Sequence, residues 1–123
     1  MGKLLISNLE REIKLSPKSE LSLIQLKNAH YFCDKIRNLV EMSPNLEELW
    51  IHFNASLLNI SVPIIQIEHP KLKWITLLAG EGNFSSISIN CPELLLLKIR
   101  EFSLKSPVHC SHGRISLEKV EIM

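Results

Sequence analysis

The chain has 123 residues, of which 46% are hydrophobic and 22% are charged, and its net charge is +1. This length corresponds to one domain, and the apolar content is enough for a core, which argues against a disordered chain. The small net charge argues against a protein that binds nucleic acid by electrostatic attraction. Leu and Ile supply 36 residues whereas Gly supplies only 4, which argues against a glycine-rich phosphate-binding fold.

The composition also bears on the compartment. No apolar run approaches the roughly 18 residues that a membrane-spanning helix needs, and the first residues lack a signal-peptide cleavage site. The three cysteines, Cys33, Cys91 and Cys110, are an odd number in unrelated sequence settings. Such usage is typical of a reducing compartment. We therefore predict an intracellular protein, cytoplasmic or nuclear, with no membrane partner.

The first element in chain order is a predicted capping segment over residues 1–20. Ile13 and Leu15, a turn at residues 16–19, and the apolar run that starts at Leu21 together indicate a short hairpin. Residues 21–123 then form the predicted repeat domain.

An internal repeat occupies this second part of the chain. Residues 44–51, 70–77 and 92–99 each read P-x-L-x-x-L/I-x-I/L, and segments that start at Leu21 and Leu117 carry the same core without the proline. The first leucines of the five segments are 22 to 26 residues apart. Each segment ends with two apolar residues separated by one residue. This alternation predicts a strand with both apolar side chains on one face. About 20 intervening residues allow a parallel neighbour, and stacked units share one core.

The connections between these strands differ in their predicted structure. Apolar residues at positions 29, 32, 36, 39 and 40 have helical spacing and stop before Pro44, which predicts one helix. Residues 64–68 and 86–90 alternate with a period of two and are predicted to be extended. Residues 107–113, flanked by Pro107 and Gly113, are typical of a loop.

The repeat resembles leucine-rich repeats, whose signature L-x-x-L-x-L-x-x-N/C is matched throughout residues 46–54. The helical connection and the Cys91-Pro92 sequence are similar to repeats of F-box proteins. The resemblance implies an α/β leucine-rich repeat solenoid, a right-handed horseshoe segment with a parallel concave sheet of about five strands, one convex helix and otherwise extended convex segments. It also implies non-enzymatic protein–protein recognition, with a substrate-receptor role in a ubiquitin ligase. The F-box itself does not fit within residues 1–20.

In such a horseshoe, the residues that alternate with the core positions line the concave face. The candidate partner-binding residues are Trp50, His52, Trp74, Thr76, Lys98 and Arg100. Tryptophan and arginine are enriched at binding hot spots, so we predict a surface for an acidic or mixed peptide segment of another protein. In the last repeat, the same pattern predicts Lys119, Glu121 and Met123 on this face.

Alternatives to this interpretation stay open. A neighbouring domain or a second copy could cover the two tryptophans, and Lys98 and Arg100 could be ordinary solvated residues. A second hypothesis is a structural repeat block that stacks on neighbouring domains or self-associates through the exposed ends of the solenoid.

A more remote hypothesis is an enzyme that uses the cluster His109-Cys110-Ser111-His112, which would require a reactive thiolate. A metal site would need a third or fourth ligand with supporting geometry. We predict no catalytic residues, no metal and no cofactor.

Overall fold

The computed structural model describes residues 2–6, 21–29, 34–53, 64–79 and 83–122. Within these ranges the chain forms one helix and twelve strands. They are β1 (Gly2–Ile6), β2 (Leu21–Ala29), α1 (Asp34–Glu41), β3 (Glu48–Phe53), β4 (Ile64–Glu68), β5 (Trp74–Ala79), β6 (Asn83–Phe84), β7 (Ser86–Asn90), β8 (Leu96–Arg100), β9 (Ser103–Leu104), β10 (His109–Cys110), β11 (Arg114–Glu118) and β12 (Glu121–Ile122).

The largest sheet among the described residues has six strands in the order β1-β2-β3-β5-β8-β11, and we call it the long sheet. Every neighbouring pair in it is parallel. The predicted parallel sheet is therefore confirmed, with one strand more than the five expected. The extra strand is β1, which pairs with β2. The predicted hairpin over residues 13–19 lies outside the described residues.

Two further sheets have three parallel strands each, in the orders β10-β7-β4 and β12-β9-β6. The last coils therefore contribute one strand to each of three sheets, and the chain is a solenoid of about four turns. The predicted extended connections are confirmed as β4 and β7. Strand β10 lies where the sequence predicted a loop, because its two residues pair with β7.

The repeat forms strands because its apolar residues alternate with polar ones. In β3, Leu49, Ile51 and Phe53 are buried, whereas Glu48 is exposed and Trp50 is half-buried. Strand β5 has the same alternation. Because successive side chains point to opposite faces of a strand, each coil presents one apolar face inward and one mixed face outward.

Helix α1 lies in the connection between β2 and β3. Ile36, Leu39 and Val40 are buried in the core, as the helical spacing predicts. The helix is shorter than the predicted apolar run, since Ala29 ends β2 instead. At its end, the Ser43 hydroxyl donates a hydrogen bond of 2.6 Å to the carbonyl oxygen of Leu39, and Pro44 cannot continue the helix.

Three buried phenylalanines pack together in the core. The ring centroids of Phe53 and Phe84 are 5.3 Å apart, and those of Phe84 and Phe102 are 4.7 Å apart. These are ordinary distances for interacting aromatic rings. The three residues come from successive coils, so the contacts join one coil to the next.

The residues that precede the repeat prolines are also stacked. Ser43, His69 and Cys91 are all buried. His69 Nδ1 accepts a hydrogen bond of 3.0 Å from the backbone N–H of Lys71, so Nε2 carries the proton and donates to the Ser43 carbonyl oxygen at 2.8 Å. The backbone N–H of His69 in turn donates to the Cys91 thiol. Adjacent turns are thus held in register by polar contacts inside the core.

The last coil differs from its prediction. In the long sheet Ile115 pairs with Leu97 and Leu117 pairs with Ile99, so Leu117 is the last apolar position of its strand and not the first leucine of its repeat. The register inferred for this repeat was therefore wrong. The outward positions of β11 are Arg114, Ser116 and Glu118, not Lys119 and Glu121; Met123 lies outside the described residues.

The turn before β11 differs from those of the earlier repeats. Gly113 stands where the other repeats have a side chain, and its φ is 85°. A Cβ atom at Gly113 would lie 2.7 Å from the backbone oxygen of Leu94. A glycine both adopts this φ and permits this approach, so the coil closes without the proline and leucine of the repeat.

Truncating a core position should be far more costly than truncating its outward neighbour. Ile75 is 1% exposed, so we expect Ile75→Ala to lower the free energy of unfolding by about 2–5 kcal/mol. Thr76→Ala, at the next and half-buried position, should cost less than about 1 kcal/mol. Urea unfolding followed by circular dichroism measures both values, and equal losses would contradict the assigned faces.

Candidate functional site

The side of the long sheet that faces away from the core, which we call the outer face, carries three rows of side chains across neighbouring strands. The rows are Leu23, Glu48, Trp74, Leu96, Arg114; Gln25, Trp50, Thr76, Lys98, Ser116; and His52, Leu78, Arg100, Glu118. All six candidate residues from the sequence lie on this face, within β3, β5 and β8.

The two tryptophans lie diagonally on adjacent strands. Trp74 is opposite Glu48, and Trp50 is opposite Thr76, so the indoles are offset by two residues. The ring of Trp50 meets that of His52 edge-on, with centroids 6.2 Å apart. This contact supports Trp50 on one side.

Trp74 is the most exposed aromatic group of this face. Its exposed fraction is 39%, and that of Leu96, its partner in the sheet register on β8, is 36%. Large apolar side chains that stay exposed side by side on a regular sheet are typical of an interaction surface. We call Trp50, Trp74 and Leu96 the apolar patch.

The basic residues beside this patch share one carboxylate. Lys98 Nζ lies 3.7 Å from Glu118 Oε1, and Arg100 Nε lies 3.4 Å from Glu118 Oε2. Exposed pairs of this kind contribute about 0–1 kcal/mol, so they leave both cations available to a ligand. The two cations keep one positive charge after pairing with Glu118.

The sequence interpretation missed Glu118 because it aligned the last repeat on Leu117. An alternative alignment would have found it: Ile115 and Leu117 are also an apolar pair separated by one residue. Arg114, at the outward position four residues earlier, was missed for the same reason.

In the Cys/His cluster, the side chains of Cys110 and His112 do not hydrogen-bond to each other. The Cys110 thiol donates to the carbonyl oxygen of His112 at 3.0 Å, whereas His112 Nδ1 contacts the Ser111 hydroxyl at 2.9 Å. The Ser111 hydroxyl donates to Asn90 Oδ1 at 3.2 Å. The His112 imidazole and the Cys110 thiol therefore have different hydrogen-bond partners, whereas activation of Cys110 by His112 needs the two within hydrogen-bond reach.

The second cysteine of the described residues is part of the core. Cys91 is fully buried, and desolvation raises the pKa of its thiol from 9.0 to about 11, although the backbone N–H of His69 favours the thiolate. A thiol with this pKa is protonated at neutral pH and is a poor nucleophile. Cys33 lies between Phe32 and Ile36 of the predicted helical spacing, for which the sequence predicts a buried or half-buried position, and it is outside the described residues.

A shallow groove of about 470 Å³ runs along the turns. Its lining residues are Glu41, Glu68, His69, Pro70, Asn90 and Pro92. Both ring nitrogens of His69 are already hydrogen-bonded within the protein. Across residues 2–6, 21–29, 34–53, 64–79 and 83–122, no three His, Cys, Asp or Glu side chains are grouped so as to hold a metal ion.

Comparison with protein families, with curated proteins and with solved structures found no match. Within the described part of the chain, no helix has the length and apolar character needed to cross a membrane.

The two described cysteines should differ in reactivity. At pH 8 we expect iodoacetamide to modify Cys110 in the folded protein while Cys91 stays unmodified, because Cys91 is buried and its pKa is about 11. Peptide mapping by mass spectrometry distinguishes the two sites. Cys110 should react no faster than a free thiol peptide, and a markedly faster reaction would favour the Cys/His enzyme hypothesis.

The tryptophans should be accessible to a soluble quencher. The chain has only two, so Trp50→Phe and Trp74→Phe each leave one fluorophore. We expect acrylamide to quench both single-tryptophan proteins, and to quench Trp74 more strongly because Trp50 is half-buried against His52. Two inaccessible indoles would contradict the outward placement.

Proposed function

We propose that this chain is a non-enzymatic protein-recognition module whose partner binds across the outer face of the long sheet. The observation that carries the proposal is the apolar patch, in which Trp74 and Leu96 stay 39% and 36% exposed although they sit on a regular, paired sheet. Such residues desolvate well against a partner and contribute strongly to binding.

The surroundings of the patch favour a partner segment of mixed character. Glu48 lies beside Trp74 in the same row. The basic residues Lys98 and Arg100 lie on β8, which is separated from Trp50 on β3 by one strand, β5. A segment with apolar anchors and acidic residues would place its anchors on the patch and its carboxylates near the basic pair. Charged groups at the rim set orientation and association rate more than affinity.

The architecture supports recognition more than catalysis. The patch rests on parallel strands whose opposite sides are buried, so its side chains are held by a continuous core. Binding to such a surface orders few additional groups, which lowers the entropic cost of association.

The finer identity that we propose is a leucine-rich repeat solenoid, with the long sheet as the concave side of a horseshoe segment. Support comes from the repeat itself and from the strands that its first four segments contribute to the long sheet. Its likeness to F-box repeats favours a substrate-receptor role in a ubiquitin ligase, by analogy at the level of fold. The unpaired Cys91 and Cys110 favour an intracellular location.

Removing an indole should weaken partner capture without unfolding the protein. For partners captured from cell extract and then purified, we expect Trp74→Ala and Trp50→Ala each to weaken binding about tenfold or more, as for a hot-spot side chain. Isothermal titration with the purified partner measures the change, and circular dichroism should be unaltered.

The matched control is Met42→Ala. Met42 is an equally apolar and more exposed side chain, at 64%, just after α1 and away from the outer face. This variant should bind as the unmodified chain does. Partners that bind all three variants equally would contradict the proposal.

A further inference from the structure

Among the described residues, β11 is the edge strand of the long sheet, and its core positions are apolar. Ile115 and Leu117 are 43% and 47% exposed, whereas Leu97 and Ile99, to which they are paired on β8, are both 0% exposed. The same coil exposes 50% of Ile122. These side chains have the core positions of the repeat, and no coil of the described residues covers them.

Within the described residues, the backbone of β11 also has unpaired groups along this edge. The N–H of Arg114 donates to Leu95 at 3.0 Å, and the carbonyl oxygen of Glu118 accepts from the N–H of Glu101 at 2.8 Å. These residues and Ser116 between them therefore direct their backbone groups towards the preceding coil. Because the direction alternates along a strand, Ile115 and Leu117 direct their N–H and C=O groups to the open edge.

The sequence of this edge is matched to an antiparallel copy of itself. It reads Arg114-Ile115-Ser116-Leu117-Glu118. If two copies are aligned antiparallel about Ser116, each Arg114 is opposite a Glu118, and each Ile115 is opposite a Leu117. We propose that a second copy of this chain pairs with β11 in this register, across a two-fold axis normal to the long sheet.

The direction of the backbone N–H and C=O groups supports this register. Ile115 and the opposing Leu117 would each donate to and accept from the other, which uses all the backbone groups on the open edge. Ser116 and its equivalent then form a non-hydrogen-bonded pair, in which side chains approach most closely, and serine is small enough for that position.

The charges support the same register. Within the described residues Arg114 has no ion-pair partner, and Glu118 is the carboxylate that Lys98 and Arg100 share. Opposite charges on directly facing residues stabilise a strand pair. The axis also keeps the outer faces of both copies on one side, so the two long sheets become continuous.

The other two sheets follow from the same axis. In each copy, β12 follows β11 in the chain and β10 precedes it, so they lie at opposite ends of that strand. The two-fold rotation exchanges these ends, so β12 of one copy meets β10 of the other. The exposed Ile122 on β12 would then face the half-buried Val108 and Cys110 around β10. The contact is isologous and closes as a dimer.

The test is sedimentation velocity of the 123-residue chain over a range of concentrations. We expect a monomer–dimer equilibrium for the unmodified chain. Arg114→Glu and Glu118→Arg each create two like-charge pairs in the dimer, so each should weaken dimerisation by about tenfold or more. Mixed together, the two variants restore both opposite-charge pairs and should form a heterodimer.

The control is Lys71→Glu, which makes the same charge change as Arg114→Glu at an exposed residue in an earlier coil. It should dimerise as the unmodified chain does. Circular dichroism checks the fold of Glu118→Arg, which loses the intramolecular pairs, and Arg114→Glu tests the register without that complication.

Three results would overturn the proposal. If the chain stays monomeric at every concentration, a second copy does not pair with β11. A dimer insensitive to Arg114→Glu uses another surface. Variants that both fail to dimerise and also fail to form a heterodimer exclude the proposed register.

Discussion

No single coil of this protein can bury its own apolar face, and the rest of the structure depends on that constraint. Leu49 and Ile51 are fully buried because the neighbouring coils supply Ile75 and Leu77 beside them. Each such side chain contributes about 1.5–3 kcal/mol when it is buried. Stability therefore belongs to the contact between coils, and a coil without a neighbour on one side exposes its core residues to water.

The same alternation that fills the core also creates the outer face, which is the surface that we propose for recognition. A strand with every second side chain buried has its remaining side chains on the other face at fixed spacing. Parallel strands in register then bring residues from distant parts of the sequence into rows, such as Trp74 beside Leu96. The apolar patch is thus held by the core beneath it.

Polar groups inside the solenoid are tolerated because the turns repeat. One position of the repeat is occupied by Ser43, His69 and Cys91 in successive coils. Hydrogen bonds join each of these residues to the next. A buried histidine is costly unless both ring nitrogens have partners, and here a neighbouring turn and the adjacent backbone provide them. Burial among these turns also explains why Cys91 is a packing residue whereas Cys110, near the open end, keeps an accessible thiol.

The periodicity of leucine and isoleucine was sufficient to predict the parallel sheet, the helix before Pro44 and the outward placement of Trp50 and Trp74. Those features follow from local alternation, which a linear sequence displays directly. The register of the last coil could not be predicted in this way, because two apolar pairs compete there and only the pairing with β8 distinguishes them. Strand β1, the pairing of Glu118 with Lys98 and Arg100, and the exposed edge at Ile115 and Leu117 were likewise decided by tertiary structure, since each depends on which residues another coil places beside them.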